Sequence, residues 1–295
     1  MIWLFVVNSL AGGGRTGHKI PELISELQKR KFDFEIRLTK YHKHAIEVTR
    51  QGIEDGFRHI VAVGGDGTVN EVVNGIMLSG REDEVFLGIV PEGGGNDFCR
   101  NFNISGNIEK DLALLKRCQS IPIDLGRIED SYFINSLGIG FDAIVAKYAQ
   151  KIKFLNKMPR YIAAVLEALV KLRNYAVEIK TDTGKTTGRI LLISVGNGRY
   201  CGGGFKLNPQ ALVDDGKFDI CIVDALTRPK VLSVLPTAIK GSHIDRKEVT
   251  IFRTDSVQIS SKQALPVYFD GELPVLQNKR EIKISILPKR INFIC

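Results

Sequence analysis

The sequence lacks several features that would assign it to common classes of protein. Its 295 residues include five cysteines, an odd number, with no Cys-x-x-Cys pair, so we expect reduced thiols, as in the cytoplasm, and no disulfide framework. It has no long uninterrupted apolar run, and its apolar start has no basic leader. We therefore expect neither a transmembrane helix nor a signal peptide. The five histidines show no metal-ligand spacing.

The chain also lacks an RNP-type motif, interleaved aromatic residues and a zinc finger, so we expect no nucleic-acid partner. The net charge is +8, and most of it lies in residues 147–173, where Glu167 is the one acid. The basic residues there are Lys147, Lys151, Lys153, Lys157, Arg160, Lys171 and Arg173. The segment predicts an amphipathic helix that docks on an anionic membrane surface. The alternative is a core-facing helix with a solvated basic back.

The order of predicted elements indicates an α/β fold with two domains. Up to about residue 122, short apolar strands alternate with helices, which is typical of a parallel sheet covered by helices. Beyond that point, short strands follow one another and indicate an antiparallel β-sandwich or barrel. We therefore predict an α/β nucleotide-binding domain over 1–122 and a β-rich domain over 123–295, with the last strand available to pack back on the first domain.

Specific elements follow from the same patterns. The predicted strands of the first part are 3–7, 34–38, 60–63 and 86–90, and its first helices are 20–31 and 44–52. The predicted strands of the second part are 176–181, 189–195, 218–223, 249–252, 256–260, 267–270, 281–287 and 291–294. The first two of these flank a short polar turn and predict a hairpin.

The most informative stretch is residues 59–77, a buried strand followed by a glycine-rich turn and a helix. Its glycines, Gly64, Gly65 and Gly67, allow a sharp turn and a close ligand approach. Thr68 and Glu71 have the spacing of a capping box. A helix N-terminus behind such a turn favours phosphate. Asp66 repels phosphate unless a divalent metal lies between them; the alternative is a sharp turn with a solvated carboxylate.

A second glycine-rich loop follows the strand at 86–90 and ends in Asn96 and Asp97. Neighbouring parallel strands deliver their loops to one sheet edge, where ligands of open α/β sheets bind. Asp66 and Asp97 are therefore expected to face one metal–phosphate group. The alternative is that Asn96 and Asp97 form only a turn or a helix cap.

These blocks, Gly-Gly-Asp-Gly-Thr-Val-Asn-Glu at 64–71 and Pro-x-Gly-Gly-Gly-Asn-Asp-Phe-x-Arg at 91–100, resemble the diacylglycerol-kinase catalytic-domain family of bacterial lipid kinases. The resemblance extends to the loop at 8–14, to Asn208-Pro-Gln-Ala and Asp-Asp-Gly-Lys-Phe-Asp at 214–219, and to Phe269-Asp-Gly-Glu272. It implies an ATP-dependent lipid kinase that uses Mg²⁺ and phosphorylates the hydroxyl of a membrane lipid alcohol such as diacylglycerol. With the reduced thiols and the basic segment, we expect a cytoplasmic protein bound peripherally to the membrane. A homodimer is the one assembly considered.

The resemblance also implies roles for individual residues. Asp270 and Glu272 would supply the catalytic base, with Asp66 and Asp97 also catalytic. From their position at the loops and the domain junction, we expect Asp66, Asp97 and Asp124 to hold Mg²⁺ through water; the alternative for Asp124 is a simple loop acid. The resemblance implies a structural Mg²⁺ held by Asp215 with the main-chain carbonyls of Leu212 and Lys217. ATP would be bound by Asn8, Gly12, Gly13, Gly14, Thr39, Gly64, Gly65, Asp66, Gly67, Thr68, Asn70, Gly94, Gly95 and Asn96.

Two other functions remain open at this point. Gly94 stands where the family usually has Thr, which leaves room for a nucleotide-binding regulatory protein of the same fold with weak catalysis. Gly12, Gly14 and Gly17 match the dinucleotide fingerprint after a strand, which would suggest an NAD(P)-dependent oxidoreductase. That second alternative leaves Asp66 and Asp97 without a role. The sequence does not identify the lipid, nor which of Asp270 and Glu272 is the base.

Overall fold

A computed structural model describes residues 1–102, 104–152, 155, 157–271 and 279–295. Of Lys157 it describes the backbone only. The chain forms two compact units, one of residues 1–125 with 289–295 and the other of residues 126–288. We call them unit 1 and unit 2.

Strands and helices alternate in unit 1, whereas strands predominate in unit 2. The strands are β1 (Ile2–Val7), β2 (Asp33–Leu38), β3 (His59–Gly64), β4 (Phe86–Pro91), β5 (Ser120–Ile128), β6 (Ser131–Phe133), β7 (Ser136–Gly140), β8 (Tyr175–Thr181), β9 (Gly184–Gly196), β10 (Phe218–Asp224), β11 (Val249–Thr254), β12 (Ser256–Leu265), β13 (Val267–Phe269) and β14 (Lys279–Ile294). The helices are α1 (Arg15–Lys29), α2 (His44–Glu54), α3 (Asp66–Ser79), α4 (Ile108–Arg117), α5 (Phe141–Lys151), α6 (Lys157–Val170) and α7 (Arg228–Lys240).

Unit 1 is built on a parallel sheet with the strand order β14-β4-β3-β1-β2. Its central strands β1, β3 and β4 are almost fully buried apolar runs, as expected for a parallel sheet covered on both faces. The end of β14 completes the sheet, because Asn292 and Phe293 pair with Phe86 and Leu87 of β4. The chain therefore leaves unit 1 through β5 and returns to it through β14.

Unit 2 is built from antiparallel strands, in the order β11-β10-β9-β8-β12-β14, with β7 joining β9 to β13. One apolar core lies among its strands, where the Phe133 and Phe218 rings stack 5.7 Å apart. A second apolar core lies under α5, α6 and α7. The predicted fold class, a parallel first domain and an antiparallel second one, is therefore confirmed.

Most predicted elements are present, and the differences have local causes. The hairpin of β8 and β9 closes with Thr181 opposite Gly184. The strands predicted at 281–287 and 291–294 are one continuous strand, β14. The first helix begins at Arg15 instead of residue 20, because the left-handed Gly14 (φ 90°) starts it there. Helix α7 was not predicted, because its two prolines, Pro229 and Pro236, obscure its periodicity.

The amphipathic segment at 147–173 is not one helix. Helix α5 ends at Lys151, where Ile152 is extended, and α6 begins at Lys157. The predicted apolar side of the segment, including Val165 and Leu169, packs in the second core of unit 2. In the described ranges no helix combines the length and the hydropathy needed to span a membrane.

Candidate active site

The carboxyl ends of the strands of unit 1 bring the predicted loops to one edge of the sheet. There the backbone N–H of Asn8 donates to Val63 O at 3.0 Å, and that of Thr39 donates to Val7 O at 2.9 Å. The N–H of Glu92 donates to Gly64 O at 2.7 Å. The ends of all four strands thus meet at the edge where open α/β sheets bind ligands.

The two glycine-rich loops contact each other directly through Asp66, the first residue of α3. Its Oδ2 accepts from the N–H of Asn96 and its Oδ1 from the N–H of Asp97, both at 2.8 Å. Burial nevertheless raises the pKa of Asp66 above its usual range. The loops also touch at Gly65 and Gly93: a β-carbon on Gly65 would lie 3.0 Å from Gly93 Cα. Asp66 therefore holds the second loop in place, a role that the sequence did not indicate.

The predicted capping box at the start of α3 is wrong. The N-cap is Gly65, whose extended backbone starts the helix at Asp66 and makes no side-chain cap. The Thr68 hydroxyl instead accepts from Asn8 Nδ2 at 3.1 Å, which joins the first loop to α3. The Glu71 carboxylate accepts from the N–H groups of Lys43 (2.9 Å) and Ala45 (3.1 Å), and so stabilises the start of α2.

Two carboxylates, the kind of group that holds divalent cations, border the space around Gly95. A β-carbon on Gly95 would lie 2.8 Å from Asp66 Oδ2 and 3.4 Å from Asp97 Oδ2, so both carboxylates border the same small space. Mg²⁺ prefers oxygen ligands and is usually held by one or two carboxylates, with water and phosphate completing its shell. Arg100 lies 3.3 Å from Asp97 Oδ1 and balances part of the charge.

Asp124 does not join this pair in a cluster of three protein ligands, and no such cluster of His, Cys, Asp or Glu occurs elsewhere in the described residues. Asp124 is fully buried, and its Oδ1 accepts from the N–H of Lys289 at 2.7 Å. This bond connects the start of the returning segment to β5 within unit 1. We therefore keep only Asp66 and Asp97 in the proposed magnesium site.

The first loop contains three consecutive glycines with a left-handed backbone, Gly12, Gly13 and Gly14 (φ 62°, 73° and 90°). A β-carbon on Gly12 would collide with Glu92 O at 2.6 Å, whereas no atom of the described residues lies within 4 Å of one on Gly13 or Gly14. Glu92 is buried and forms an ion pair of 2.8 Å with Lys19 of α1. The sequence analysis did not predict this ion pair of Lys19 and Glu92. The available signal was Glu92, an acidic residue inside the second glycine-rich loop.

Other predicted contact residues serve the loops themselves. Asn96 has a left-handed backbone (φ 54°), and its side chain bonds both the N–H and the O of Gly93, at 3.0 and 3.2 Å. Asn70 is buried, and its Oδ1 accepts from Asn74 Nδ2 at 3.1 Å. Gly94 does not have a positive φ. The contacts of Asn96 with Gly93 are those of a turn, which is the alternative role that the sequence left open for Asn96.

In unit 2, Asp270 directly follows β13 and is buried, with a left-handed backbone (φ 43°). Its carboxylate accepts three backbone N–H groups, from Ile134 (2.5 Å), Asn135 (3.1 Å) and Ser136 (2.9 Å). Such a carboxylate is an anchor for residues 134–136. Its predicted partner Glu272 lies outside the described residues.

Sequence reasoning missed a network of buried asparagines around that anchor. Asn197 Nδ2 donates to Ile134 O at 2.7 Å, and Asn135 Nδ2 donates to Tyr200 O at 2.9 Å. The N–H groups of Asn197 and Gly198 both donate to Asn135 O. The available signal was Asn197, which follows the predicted strand 189–195. The network fixes the backbone of residues 134–136, to which the Asp270 carboxylate bonds.

The predicted structural magnesium site lies in the loop before β10. Asp215 Oδ1 accepts from the N–H of Lys217 at 3.1 Å, across the left-handed Gly216. Asp215 Oδ2 also lies 3.4 Å from Arg253 Nη1. Leu212 is exposed. The turn brings Asp215 and Lys217 together, and the metal itself remains a prediction.

Comparison with known proteins agrees with this geometry. The diacylglycerol kinase catalytic domain family matches residues 2–128, and the YegS C-terminal NAD kinase beta sandwich-like domain family matches residues 135–295. A diacylglycerol kinase of Staphylococcus carnosus is 29% identical, over 90% of this chain and 87% of its own. A Shewanella frigidimarina protein, "Probable lipid kinase YegS-like", is 30% identical to this chain. The match covers 97% of this chain and 92% of that protein.

A solved structure of similar fold is the crystal structure of a diacylglycerol kinase from Bacillus anthracis. It matches with a TM-score of 0.80 and 25% identity, covering 99% of this chain and 96% of that one. The oxidoreductase alternative is wrong, because the matched families and relatives are kinases. The chain belongs to the diacylglycerol kinase family of lipid kinases, and it is a phosphotransferase.

Proposed function

We propose that this protein transfers the terminal phosphoryl group of ATP, with Mg²⁺, to the hydroxyl of a membrane lipid alcohol such as diacylglycerol. The observation that carries the proposal is the space around Gly95, bordered by Asp66 and Asp97 beside the N-terminus of α3. Phosphoryl transfer requires positioning, charge neutralisation and an acceptor for the hydroxyl proton. Each of these requirements has a candidate in the chain.

The ATP phosphates would lie against the glycine loops of unit 1, where the first N–H groups of α3 favour an anion. Asn8, Thr39 and the open face of Gly13 and Gly14 border the same sheet edge. Asp66 and Asp97 would hold Mg²⁺, which supplies positive charge to the phosphate oxygens when bound.

The proton acceptor would come from the Asp-Gly-Glu segment of unit 2. Because the Asp270 carboxylate already accepts three backbone N–H groups, we assign it a positioning role and assign the base to Glu272. Tyr268 supports the same turn, since its hydroxyl accepts from the N–H of Gly271 at 3.0 Å. These hydrogen bonds hold the backbone at residues 270 and 271, directly before the proposed base.

The direct test is transfer from radiolabelled ATP to a panel of lipid alcohols in mixed micelles, with and without Mg²⁺. We expect a phosphorylated lipid that appears with Mg²⁺ and disappears when EDTA is added. Transfer that is equally fast in EDTA would contradict the metal assignment. An absence of product with every lipid alcohol would contradict the proposed substrate class.

Gly94 allows a specific test of nucleotide binding. A Gly94→Thr variant adds the hydroxyl that related kinases usually carry, and the backbone at Gly94 does not need a positive φ. One additional hydrogen bond is worth about 0.5–1.5 kcal/mol, so we expect ATP affinity to rise by about two- to tenfold in equilibrium titrations. Unchanged affinity in a folded variant would show that the glycine is neutral here.

The surface at the end of α6 is a candidate for membrane docking. Leu166 and Val170, one helical turn apart, have exposed fractions of 52% and 71%. Lys171 and Arg173 follow and are exposed. Arg228 bonds the Val170 carbonyl at 3.1 Å and adds a third cation. Exposed apolar residues among cations suit an anionic bilayer surface. Lys153 and the side chain of Lys157 lie outside the described residues.

We expect the double variant Lys171→Gln/Arg173→Gln to bind anionic vesicles at least about tenfold more weakly at low salt, because each basic residue near the surface contributes about 1 kcal/mol. The matched control is Lys185→Gln/Lys262→Gln, which removes the same charge from exposed positions on β9 and β12. Co-sedimentation with anionic and neutral vesicles measures the difference. Equal loss in both double variants would mean that only net charge matters.

A further inference from the structure

The turn that follows β13 in unit 2 has an unusual backbone. Asp270 is left-handed (φ 43°), and so is Gly271 after it (φ 87°). A left-handed residue other than glycine is costly, and it persists only where the surrounding structure determines it. Such residues are concentrated at functional sites. Each contact that holds this turn is therefore a candidate for a functional role.

Side chains bind both polar groups of the Gly271 backbone. Its N–H donates to the Tyr268 hydroxyl at 3.0 Å, and its carbonyl oxygen accepts from Gln150 Nε2 at 3.2 Å. The Asp270 carboxylate is fixed separately, by the N–H groups of residues 134–136. The turn is therefore tied to helix α5 through Gln150 as well as to the strands.

One face of α5 lies against this turn. Ala143, Ala146 and Gln150 follow one another at spacings of three and four residues, so they share one side of the helix. The two alanines pack against Tyr268, and Gln150, one helical turn further on, bonds Gly271. The same face of α5 thus supports Tyr268 and supplies the second partner of Gly271.

The Gln150 bond has a local effect. Gln150 is exposed, and fixing an exposed, rotamer-rich side chain offsets much of what one hydrogen bond contributes to folding. The carbonyl of Gly271 belongs to the planar peptide group that joins residues 271 and 272. A bond that orients this carbonyl therefore orients the plane through which the next residue is attached.

We propose that Gln150 is a positioning residue for phosphoryl transfer, which acts through the Gly271 carbonyl on the proposed base, Glu272. This inference rests on the proposed function and adds a residue that lies outside the sequence motifs. A base must lie within hydrogen-bond reach of the proton that it takes. Small displacements of a positioned group are costly in rate, so the donor on α5 contributes to turnover without contacting the substrate.

Two substitutions at residue 150 test this role with a short-chain acceptor, so that membrane binding plays no part. Gln150→Met keeps the length of the side chain without its donor. We expect its kcat to fall by about two- to tenfold, the loss of one hydrogen bond, with unchanged KM for ATP and for the acceptor. Gln150→Lys supplies a donor again and should recover most of kcat. Equal kcat in the Met and Lys variants would overturn the role of the donor.

The matched control is Gln28→Ala, at an exposed position of α1, which should behave as wild type. The Glu272→Gln background shows whether Gln150 acts through the base. There, Gln150→Met should change the residual single-turnover rate by less than twofold, because no base remains to be positioned. The same loss in both backgrounds would mean that Gln150 acts independently of Glu272.

Amide hydrogen exchange at Gly271 separates this inference from the proposed function. We expect the Gly271 amide to exchange about two- to tenfold faster in Gln150→Met than in wild type or Gln28→Ala, because the turn opens more often. Faster exchange with an unchanged kcat would make the bond merely structural and overturn the positioning role. Faster exchange in a protein whose wild type phosphorylates no lipid alcohol would overturn the proposed function and leave Gln150 as a support of the turn.

Discussion

Replacing Asp66 or Asp97 by Asn is expected to lower turnover by at least about a hundredfold, because preorganised charge at the phosphoryl group is the largest catalytic contribution. Asp66→Asn should also loosen the second loop, since an amide cannot accept at both positions that now bond Asn96 and Asp97. Steady-state phosphorylation of a lipid alcohol in mixed micelles, at saturating Mg²⁺, measures the loss.

Gly95→Ala is the sharper probe of the same site, because its new methyl group would occupy the space between the two carboxylates. We expect a loss of similar size, together with a higher Mg²⁺ concentration for half-maximal rate. Asp33→Asn, at an exposed carboxylate of β2, is the matched control and should behave as wild type. Near-normal turnover in Asp66→Asn and Asp97→Asn would remove both residues from the mechanism.

Glu272→Gln is expected to abolish transfer with little change in the melting temperature, if Glu272 accepts the hydroxyl proton. Asp270→Asn should differ, because it replaces an acceptor of three buried N–H groups by a group that is partly a donor. We expect that variant to lose about 1–3 kcal/mol in the free energy of unfolding, as well as activity.

The comparison of the two variants separates the base from the anchor. Thermal unfolding and ATP titration, measured beside turnover, show whether each protein remains folded and binds nucleotide. A stable, inactive Asp270→Asn beside an active Glu272→Gln would reverse our assignment. Full activity in both would place the proton acceptor elsewhere.

The sequence predicted the fold well where local signals agreed. The apolar runs of β1, β3 and β4 indicate buried parallel strands, and the structure confirms that these strands pair in parallel. The ligand role of the glycine loops that follow them stays a prediction. The continuous strand β14 and the helix α7 were not predicted correctly from the sequence. Pro288 interrupts the strand pattern of β14 and Pro236 the helical pattern of α7, yet both elements are continuous in the structure.

The interactions that hold the site together could not be read from spacing. Glu71 stabilises α2 instead of its own helix, and Asp66 accepts N–H groups thirty or more residues away along the chain. The anchor role of Asp270 depends on residues 134–136, which are distant in sequence. Such contacts arise only from tertiary packing, so local patterns give the residue types but not their partners.

The return of the chain through β14 has a consequence for how the protein is made. During synthesis, β4 is complete long before residues 289–295, which pair with it. At ribosomal speeds of about 5–20 residues per second, the intervening chain takes roughly 10–40 s to emerge. Throughout that interval β4 presents an unpaired edge, which is a template for wrong pairing. Unit 1 therefore reaches its final form only after unit 2 has been translated.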